Sequence, residues 1–356
     1  MKKIVLTGGG TAGHVTPNIA LIPALKDAGY DIEYIGSYAG IEKQLIEDQG
    51  IPYHGVATGK FRRYFDLRNV TDIFNVFKGL RESKKLLKEI SPDVVFSKGG
   101  FVAVPVVRAA GKLGIPCVIH ESDMTPGLAN KLCIPVASRI CCNFPETLEH
   151  MPKDKALLTG SPIRQELTRG DRDKGLEFIG FNGNKPILMV IGGSQGAQSV
   201  NETVRESLPK LQNVFDVVHL CGKDKVDNMM LDIDGYKQYE YIKDELKDIF
   251  AAADIVISRA GANAICEILE LKKPNVLIPL SAGSRGDQIL NAESFEASGF
   301  SEVIREDALD PSMLTETVMK VYNDREKYIA NMSKRMELKP IDRIVELIGE
   351  VALQGK

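Results

Sequence analysis

Ile4-Val5-Leu6-Thr7-Gly8-Gly9-Gly10-Thr11-Ala12-Gly13-His14 decides how the rest of the chain is read. An apolar run of strand type passes straight into glycines, and helical spacing follows at Ile19, Leu21, Ile22 and Leu25. A strand that turns into a helix through glycines gathers unpaired N–H groups at the helix N-terminus, where the dipole favours an anionic or strongly polar ligand. Glycine lets such a loop adopt positive φ and approach a ligand closely. His14 stands at the loop's edge, within reach of whatever is held there.

Gly8, Gly10 and Gly13 have the spacing of a dinucleotide-binding loop. That reading needs an acidic residue at the end of the second strand to hold a ribose. The second strand instead runs into Gly36-Ser37, and Glu33 falls within it, so the dinucleotide reading is disfavoured. The pattern recurs at Ile187–Ile191 followed by Gly192-Gly193-Ser194-Gln195-Gly196. A shorter version occurs at Val94–Phe96 followed by Ser97-Lys98-Gly99-Gly100. Two such openings about half a chain apart predict two similar α/β domains facing one cleft.

A chain of 356 residues exceeds what one core usually serves. Strands are expected near 32–36, 53–57, 93–97, 115–120 and 138–142, then near 187–191, 215–220, 238–241, 254–258, 275–279 and 301–304. Helix-length segments between them imply parallel sheets with right-handed crossovers. The polar, glycine-punctuated stretch 161–185 reads as the linker. The expected division is 1–162 and 163–338, with a C-terminal helix in 339–356 packing back on the first domain. A net charge of −3 argues against general nucleic-acid binding. Six cysteines without C-x-x-C spacing read as reduced core residues. No run approaches a membrane span, and Met1-Lys2-Lys3 leads directly into a strand, so no signal peptide is expected.

Between Lys60 and Lys88, nine Lys or Arg face three acids, a local +6, with Phe61, Tyr64, Phe65, Phe74 and Phe77 interleaved. One reading is a helix from about 69 with Ile73, Phe77 and Leu80 in the core and a solvated basic face. The other is a patch for an anionic membrane surface centred on Phe61, Arg62, Arg63, Tyr64 and Phe65, where aromatics insert and arginines meet headgroups.

Further polar groups lie at strand ends, where open α/β sheets bind ligands. These are His120-Glu121-Ser122-Asp123 with Asn130, Arg259-Ala260-Gly261-Ala262-Asn263-Ala264 with Glu267, and Ser284-Arg285-Gly286-Asp287-Gln288 with Asn291. A carboxylate placed as Glu267 is can accept two hydrogen bonds from a ribose, or simply serve the helix dipole. Arg164 is a fixed cation between the domains and a plausible pyrophosphate clamp.

Taken together, the first glycine loop with His14, Lys98-Gly99-Gly100-Phe101-Val102, His120-Glu121, Gly192–Gly196, Arg259–Ala262 and Asp287-Gln288 through Asn291-Ala292 resemble the MurG family. These are the bacterial N-acetylglucosaminyltransferases of glycosyltransferase family 28 that convert lipid I to lipid II. The resemblance runs through nearly the whole chain with the motifs in order. It implies a GT-B fold of two Rossmann-like domains, with UDP-GlcNAc bound mainly by the second and a membrane-borne acceptor by the first. By matching position it gives Glu267 the ribose hydroxyls, Ile242 backbone the uracil edge, and Ser194 and Arg164 the pyrophosphate, with Asn263 and Ala264 beside it. Gln288 and Asp287 would read the sugar hydroxyls, with Thr11, Gly13 and Asp123 also at the donor. Gly9, Gly10, Gly99, Gly100 and Phe101 would form the acceptor and phosphate loops. Two departures stand out: Ser122-Asp123 where the family commonly has Gln-Asn, and Ser161 where it often has Asn.

The reaction so implied is single displacement by the acceptor's 4-hydroxyl with inversion, needing a base for that proton. His14 is the first candidate, since imidazole titrates near neutrality, with Asp123 and Glu121 as alternatives. No cofactor is implied. Asp171-Arg172-Asp173 and Asp232-Ile233-Asp234 have the spacing of a metal-binding Asp-x-Asp but lie in turn-like sequence, so no metal site is expected. The implied location is the cytoplasmic face of the bacterial membrane, peripherally bound, with other cell-wall synthesis and division proteins as further partners. The rival readings are a sugar-nucleotide epimerase of the same fold, an NAD-dependent oxidoreductase, and a non-catalytic membrane-binding protein.

Overall fold

A computed structural model of the chain describes residues 2–59, 68–193, 196–281, 286–334 and 338–354, with 68–73 described by their backbone. The chain separates into two compact units, Met1–Arg164 with Glu337–Lys356, and Gln165–Met336.

The first unit runs β1 (Lys2–Thr7), α1 (Thr16–Asp27), β2 (Tyr30–Ser37), α2 (Ile41–Glu47), β3 (Tyr53–Val56) and α3 (Arg68–Ile90). It continues with β4 (Val94–Ser97), α4 (Ala103–Lys112), β5 (Cys117–Glu121), α5 (Leu128–Cys133), β6 (Arg139–Cys142) and β7 (Ala156–Leu158). Its seven strands lie in the order β3-β2-β1-β4-β5-β6-β7, all neighbours parallel. Successive residues Ile4, Val5 and Leu6 are all buried because helices cover both faces of the sheet. Ile4 and Leu6 face one apolar cluster, Val5 and Val95 the other.

The second unit runs α6 (Arg172–Ile179), β8 (Ile187–Ile191), α7 (Gln198–Leu211), β9 (Asp216–Leu220), β10 (Tyr236–Tyr239), α8 (Leu246–Ala252) and β11 (Ile255–Ser258). Then come α9 (Ala262–Glu270), β12 (Asn275–Leu277), α10 (Asp287–Ala297), β13 (Glu302–Val303), α11 (Pro311–Asn323) and α12 (Arg325–Ser333). The six-stranded sheet has the order β10-β9-β8-β11-β12-β13, again parallel. The last helix, α13 (Pro340–Gln354), belongs to the first unit, where Ile341, Ile344, Leu347, Ile348 and Val351 join the cluster of Ile4 and Leu6.

Two expectations fail. Residues 161–185 are not a free linker, because α6 packs on α8 within the second unit. Its glycines serve that packing: a Cβ on Gly170 would lie 2.0 Å from the Lys247 carbonyl oxygen, and one on Gly175 2.2 Å from that of Asp248. Asp171 caps α6 through the N–H groups of Asp173 and Lys174, and Arg172 pairs with Asp254, so this Asp-x-Asp builds a helix end. Nor is Phe77 in the core. Helix α3 buries Gly79, Ser83, Leu87 and Ile90, leaving Phe74 70 % and Phe77 64 % exposed. Gly79 sets that choice of face, since a Cβ there would meet the Ala57 carbonyl oxygen at 1.9 Å.

Candidate functional site

In each sheet the strand order reverses beside the first strand, and neighbouring chains there leave in opposite directions. Thr7 pairs with Ser97, so the Gly8 and Lys98 loops leave the sheet at one level. In the second unit Ile191 pairs with Ser258, so the Gly192 and Arg259 loops do the same.

In the first unit the glycines mainly make room for protein. A Cβ on Gly9 would sit 2.6 Å from the Glu42 carboxyl carbon, and one on Gly10 (φ +86°) 2.4 Å from the Phe101 ring. One on Gly100 would meet the Gly9 carbonyl oxygen at 2.3 Å. The two loops are packed on each other, so their glycines serve this packing as well. Buried Glu42 accepts the Gly10 N–H at 3.2 Å and the Ser37 N–H at 3.1 Å, and also the Ser37 hydroxyl. The Gly10 donor is therefore committed to protein, while Gly10 and Thr11 remain exposed.

His14 ends the 3-10 turn Ala12–His14, with Gly13 before it, and is half-buried. Its Nδ1 lies 3.3 Å from the Lys98 carbonyl oxygen. A carbonyl only accepts, so this contact puts the proton on Nδ1 and the lone pair on Nε2.

Lys98, 1 % exposed, donates from Nζ to His120 Nδ1 at 2.8 Å and to Ser122 Oγ at 2.5 Å. His120 in turn donates from Nε2 to the Gly160 carbonyl at 2.9 Å. Burial first, then the Lys98 charge, hold the His120 pKa well below the ordinary histidine value, so it stays neutral. Glu121 Oε1 accepts the N–H groups of Ser122 (2.9 Å) and Asp123 (3.1 Å), and Oε2 those of Gly127 (2.9 Å) and the Asn130 amide (2.9 Å). With both oxygens accepting N–H groups, Glu121 is the scaffold that holds the 122–127 turn together. That turn presents Asp123, whose backbone is also fixed by the Thr147 hydroxyl at 3.1 Å. Gly99 and Phe101 lie in the Lys98 loop, and Arg164 closes the first unit four residues after Gly160.

In the second unit, α7 and α9 begin without a side-chain cap and without an acidic residue in the first turn. Their N-terminal N–H groups and dipoles therefore favour an anion. Ser194 lies outside the described residues. Asn263, Ala264 and Glu267 share the accessible face of α9, while Ile265, Cys266, Ile268 and Leu269 are buried on the other. Asn291 donates to the Ala260 carbonyl at 3.1 Å and ties α10 to the same loop. Asp287, buried, opens α10. Gln288 Oε1 accepts the Leu280 N–H at 3.0 Å, which leaves its –NH2 as the end able to donate to a sugar hydroxyl. Ile242 is buried beyond β10, so only its backbone is suited to a ligand edge. The membrane-patch residues Phe61, Arg62, Arg63, Tyr64 and Phe65 lie outside the described residues.

Comparison with known proteins decides the family. The glycosyltransferase family 28 N-terminal domain matches residues 4–142 and the family's C-terminal domain residues 187–348. The chain belongs to glycosyltransferase family 28. A Lachnoclostridium phytofermentans member is 62 % identical over 99 % of this chain and 100 % of its own. A Lachnospira eligens member is 60 % identical over 98 % and 99 %. Both are named UDP-N-acetylglucosamine–N-acetylmuramyl-(pentapeptide) pyrophosphoryl-undecaprenol N-acetylglucosamine transferase. Among solved structures, Acinetobacter baumannii MurG superposes with a TM-score of 0.78 at 24 % identity, covering 98 % of this chain and 100 % of that one. The kitacinnamycin glycosyltransferase gives 0.77 at 17 % identity, covering 99 % of each. The family 28 chain thus has the two parallel α/β domains of the GT-B class that its sequence resemblance implies.

Neither Glu42 nor Glu306 was singled out from the sequence. Glu306 accepts from Arg259 Nη2 (2.5 Å), Ser199 Oγ (2.6 Å), Ser281 N (3.0 Å) and Ser281 Oγ (2.9 Å). These partners are 25 to 107 residues away, and no local pattern announces them.

Proposed function

We propose that this chain transfers N-acetylglucosamine from UDP-GlcNAc to the C4 hydroxyl of the N-acetylmuramoyl sugar of lipid I, with inversion, making lipid II for peptidoglycan. The observation that carries this is the 62 % identity, over 99 % of the chain, to a relative named for that transfer. The arrangement of residues supports it. Glu267 accepts the ribose hydroxyls, the N-termini of α7 and α9 with Ser194 and Arg164 receive the diphosphate, and Asn263 and Ala264 lie beside it. The Ile242 backbone pairs with uracil, and Gln288, with Asp287 near it, reads the transferred sugar. His14 takes the acceptor proton on Nε2, because Nδ1 is committed to the Lys98 carbonyl. Asp123, held out by the Glu121 turn, is the second candidate base. As the bond to the anomeric carbon forms, the bond to the diphosphate oxygen breaks, and UDP leaves with that electron pair.

The acceptor is lipid-borne, so the enzyme works at the cytoplasmic face of the membrane. No helix among the described residues is long and apolar enough to cross one. Exposed Phe74 and Phe77, beside Lys78, Arg81 and Lys85 on α3, favour a peripheral attachment to anionic lipid over a merely solvated helix face.

The test is a transfer assay with a lipid I analogue and UDP-GlcNAc. Expected is a disaccharide product that depends on both substrates. Turnover of UDP-GlcNAc without acceptor would replace this reading with the epimerase, and calorimetric binding of NADH would replace it with the oxidoreductase.

A further inference from the structure

Three loops of the second unit carry the donor contacts proposed above, yet they leave different strands. They are the glycine loop entering α7, the Arg259–Asn263 loop after β11, and the segment from Ile278 to Gln288 after β12. A single carboxylate joins all three. Glu306 opens the 3-10 turn Glu306–Ala308 after β13, and its side chain is 16 % exposed. Oε1 accepts from Arg259 at 2.5 Å and from Ser199, in the first turn of α7, at 2.6 Å. Oε2 accepts the N–H and hydroxyl of Ser281 at 3.0 and 2.9 Å. Arg259 Nη1 also donates to the Ile278 carbonyl at 3.1 Å, and Nη2 to Ser199 Oγ at 3.3 Å. The guanidinium is thus turned onto protein and neutralised there, though it belongs to a loop expected to face a diphosphate.

We infer that Glu306, through Arg259, Ser199 and Ser281, is a positioning residue that sets affinity for the nucleotide-sugar donor without touching the reacting atoms. The inference rests on the UDP-GlcNAc reading above. Burial alone would raise the Glu306 pKa, but the hydrogen bonds from Arg259, Ser199 and Ser281 outweigh it and hold it to about 2. The carboxylate is therefore charged throughout the physiological range. Charge-assisted hydrogen bonds of this kind are the strong ones, and their geometry fixes three chain segments at once. A hub that holds loops before substrate arrives lowers the ordering cost of donor binding, an effect that belongs in Kd and KM.

The test uses the full chain and measures UDP affinity by calorimetry, with KM for donor and acceptor, kcat and melting temperature. Glu306→Ala should raise the UDP Kd and donor KM at least about tenfold while leaving kcat and acceptor KM within about threefold. Glu306→Gln, which keeps one acceptor for Arg259, should fall between it and the parent. A folded Glu306→Ala with donor Kd unchanged overturns the inference, and so does one in which kcat alone falls. Should Glu306→Ala not fold, the Ser199→Ala/Ser281→Ala double variant decides in the same way, with a raised donor KM supporting the hub and an unchanged one overturning it. If the parent protein itself fails to bind UDP, the donor reading falls. If it binds and the variants match it, only the hub does.

Discussion

At the scale of single residues, the chemistry turns on which atoms are already committed. His14 has Nδ1 on the Lys98 carbonyl, so the proposed mechanism routes the acceptor proton to Nε2, whereas Glu121 spends both oxygens on four N–H groups. His14→Ala should therefore lower kcat at least about tenfold and leave donor KM little changed, since general-base catalysis typically contributes about 10²–10⁴-fold. An unchanged kcat would pass the role to Asp123. Glu121→Ala should act through folding instead, because unsatisfied buried N–H groups cost about 1–3 kcal/mol each. A melting temperature equal to the parent's would contradict that assignment. Such commitments could not be read in the sequence. His14 and Glu121 are visible there as polar groups at strand ends, but the bonds that separate base from scaffold depend on partners up to 84 residues away.

At the scale of elements, much was legible. Parallel strands buried on both faces give short continuous apolar runs, as in Ile4-Val5-Leu6, whose successive side chains fall in opposite clusters. Short β7 escaped notice because Ala156-Leu157-Leu158 is only three residues long, and helix α6 because its sequence is polar and broken by Gly175 for packing on α8. Helix α9 shows what an accessible face does: Glu267→Ala should weaken UDP binding by roughly ten- to hundredfold, the worth of hydrogen bonds to a charged acceptor, about 1.5–3 kcal/mol. The loss should be smaller for a 2′-deoxyribose analogue, and calorimetry with both ligands checks it. For α3, Phe74→Ser/Phe77→Ser should reduce sedimentation with anionic vesicles while leaving transfer to a detergent-soluble acceptor unaltered. Equal vesicle binding would return α3 to the status of a solvated helix.

At the scale of the whole molecule, buried histidines make stability depend on pH. His219 donates from Nε2 to Asn201 at 3.0 Å and accepts the Tyr236 hydroxyl at 2.9 Å, and burial chiefly, then Arg205, lower its pKa to about 3. The unfolded chain takes up a proton near the ordinary value of 6.5 while the folded one does not. Its contribution is then complete above about pH 6.5 and is lost on acidification towards pH 3, by about 1.4 kcal/mol per pH unit. His120 acts in the same direction. Urea unfolding at several pH values should show this slope, and His219→Gln should lessen it. Activity should persist in EDTA, because the proposed mechanism assigns the leaving diphosphate to Arg164 and two helix N-termini rather than to a metal.

Helix α13 closes the first unit from the far end of the chain, after the second unit has been completed. During synthesis, the sheet of β1 to β7 must wait with Ile4 and Leu6 partly uncovered until the 15 residues of α13 leave the ribosome. The nascent N-terminal half thus keeps apolar surface exposed for most of translation, and a stop codon or protease cut just before Pro340 should lower the melting temperature of the first unit rather than leave a sound shortened enzyme.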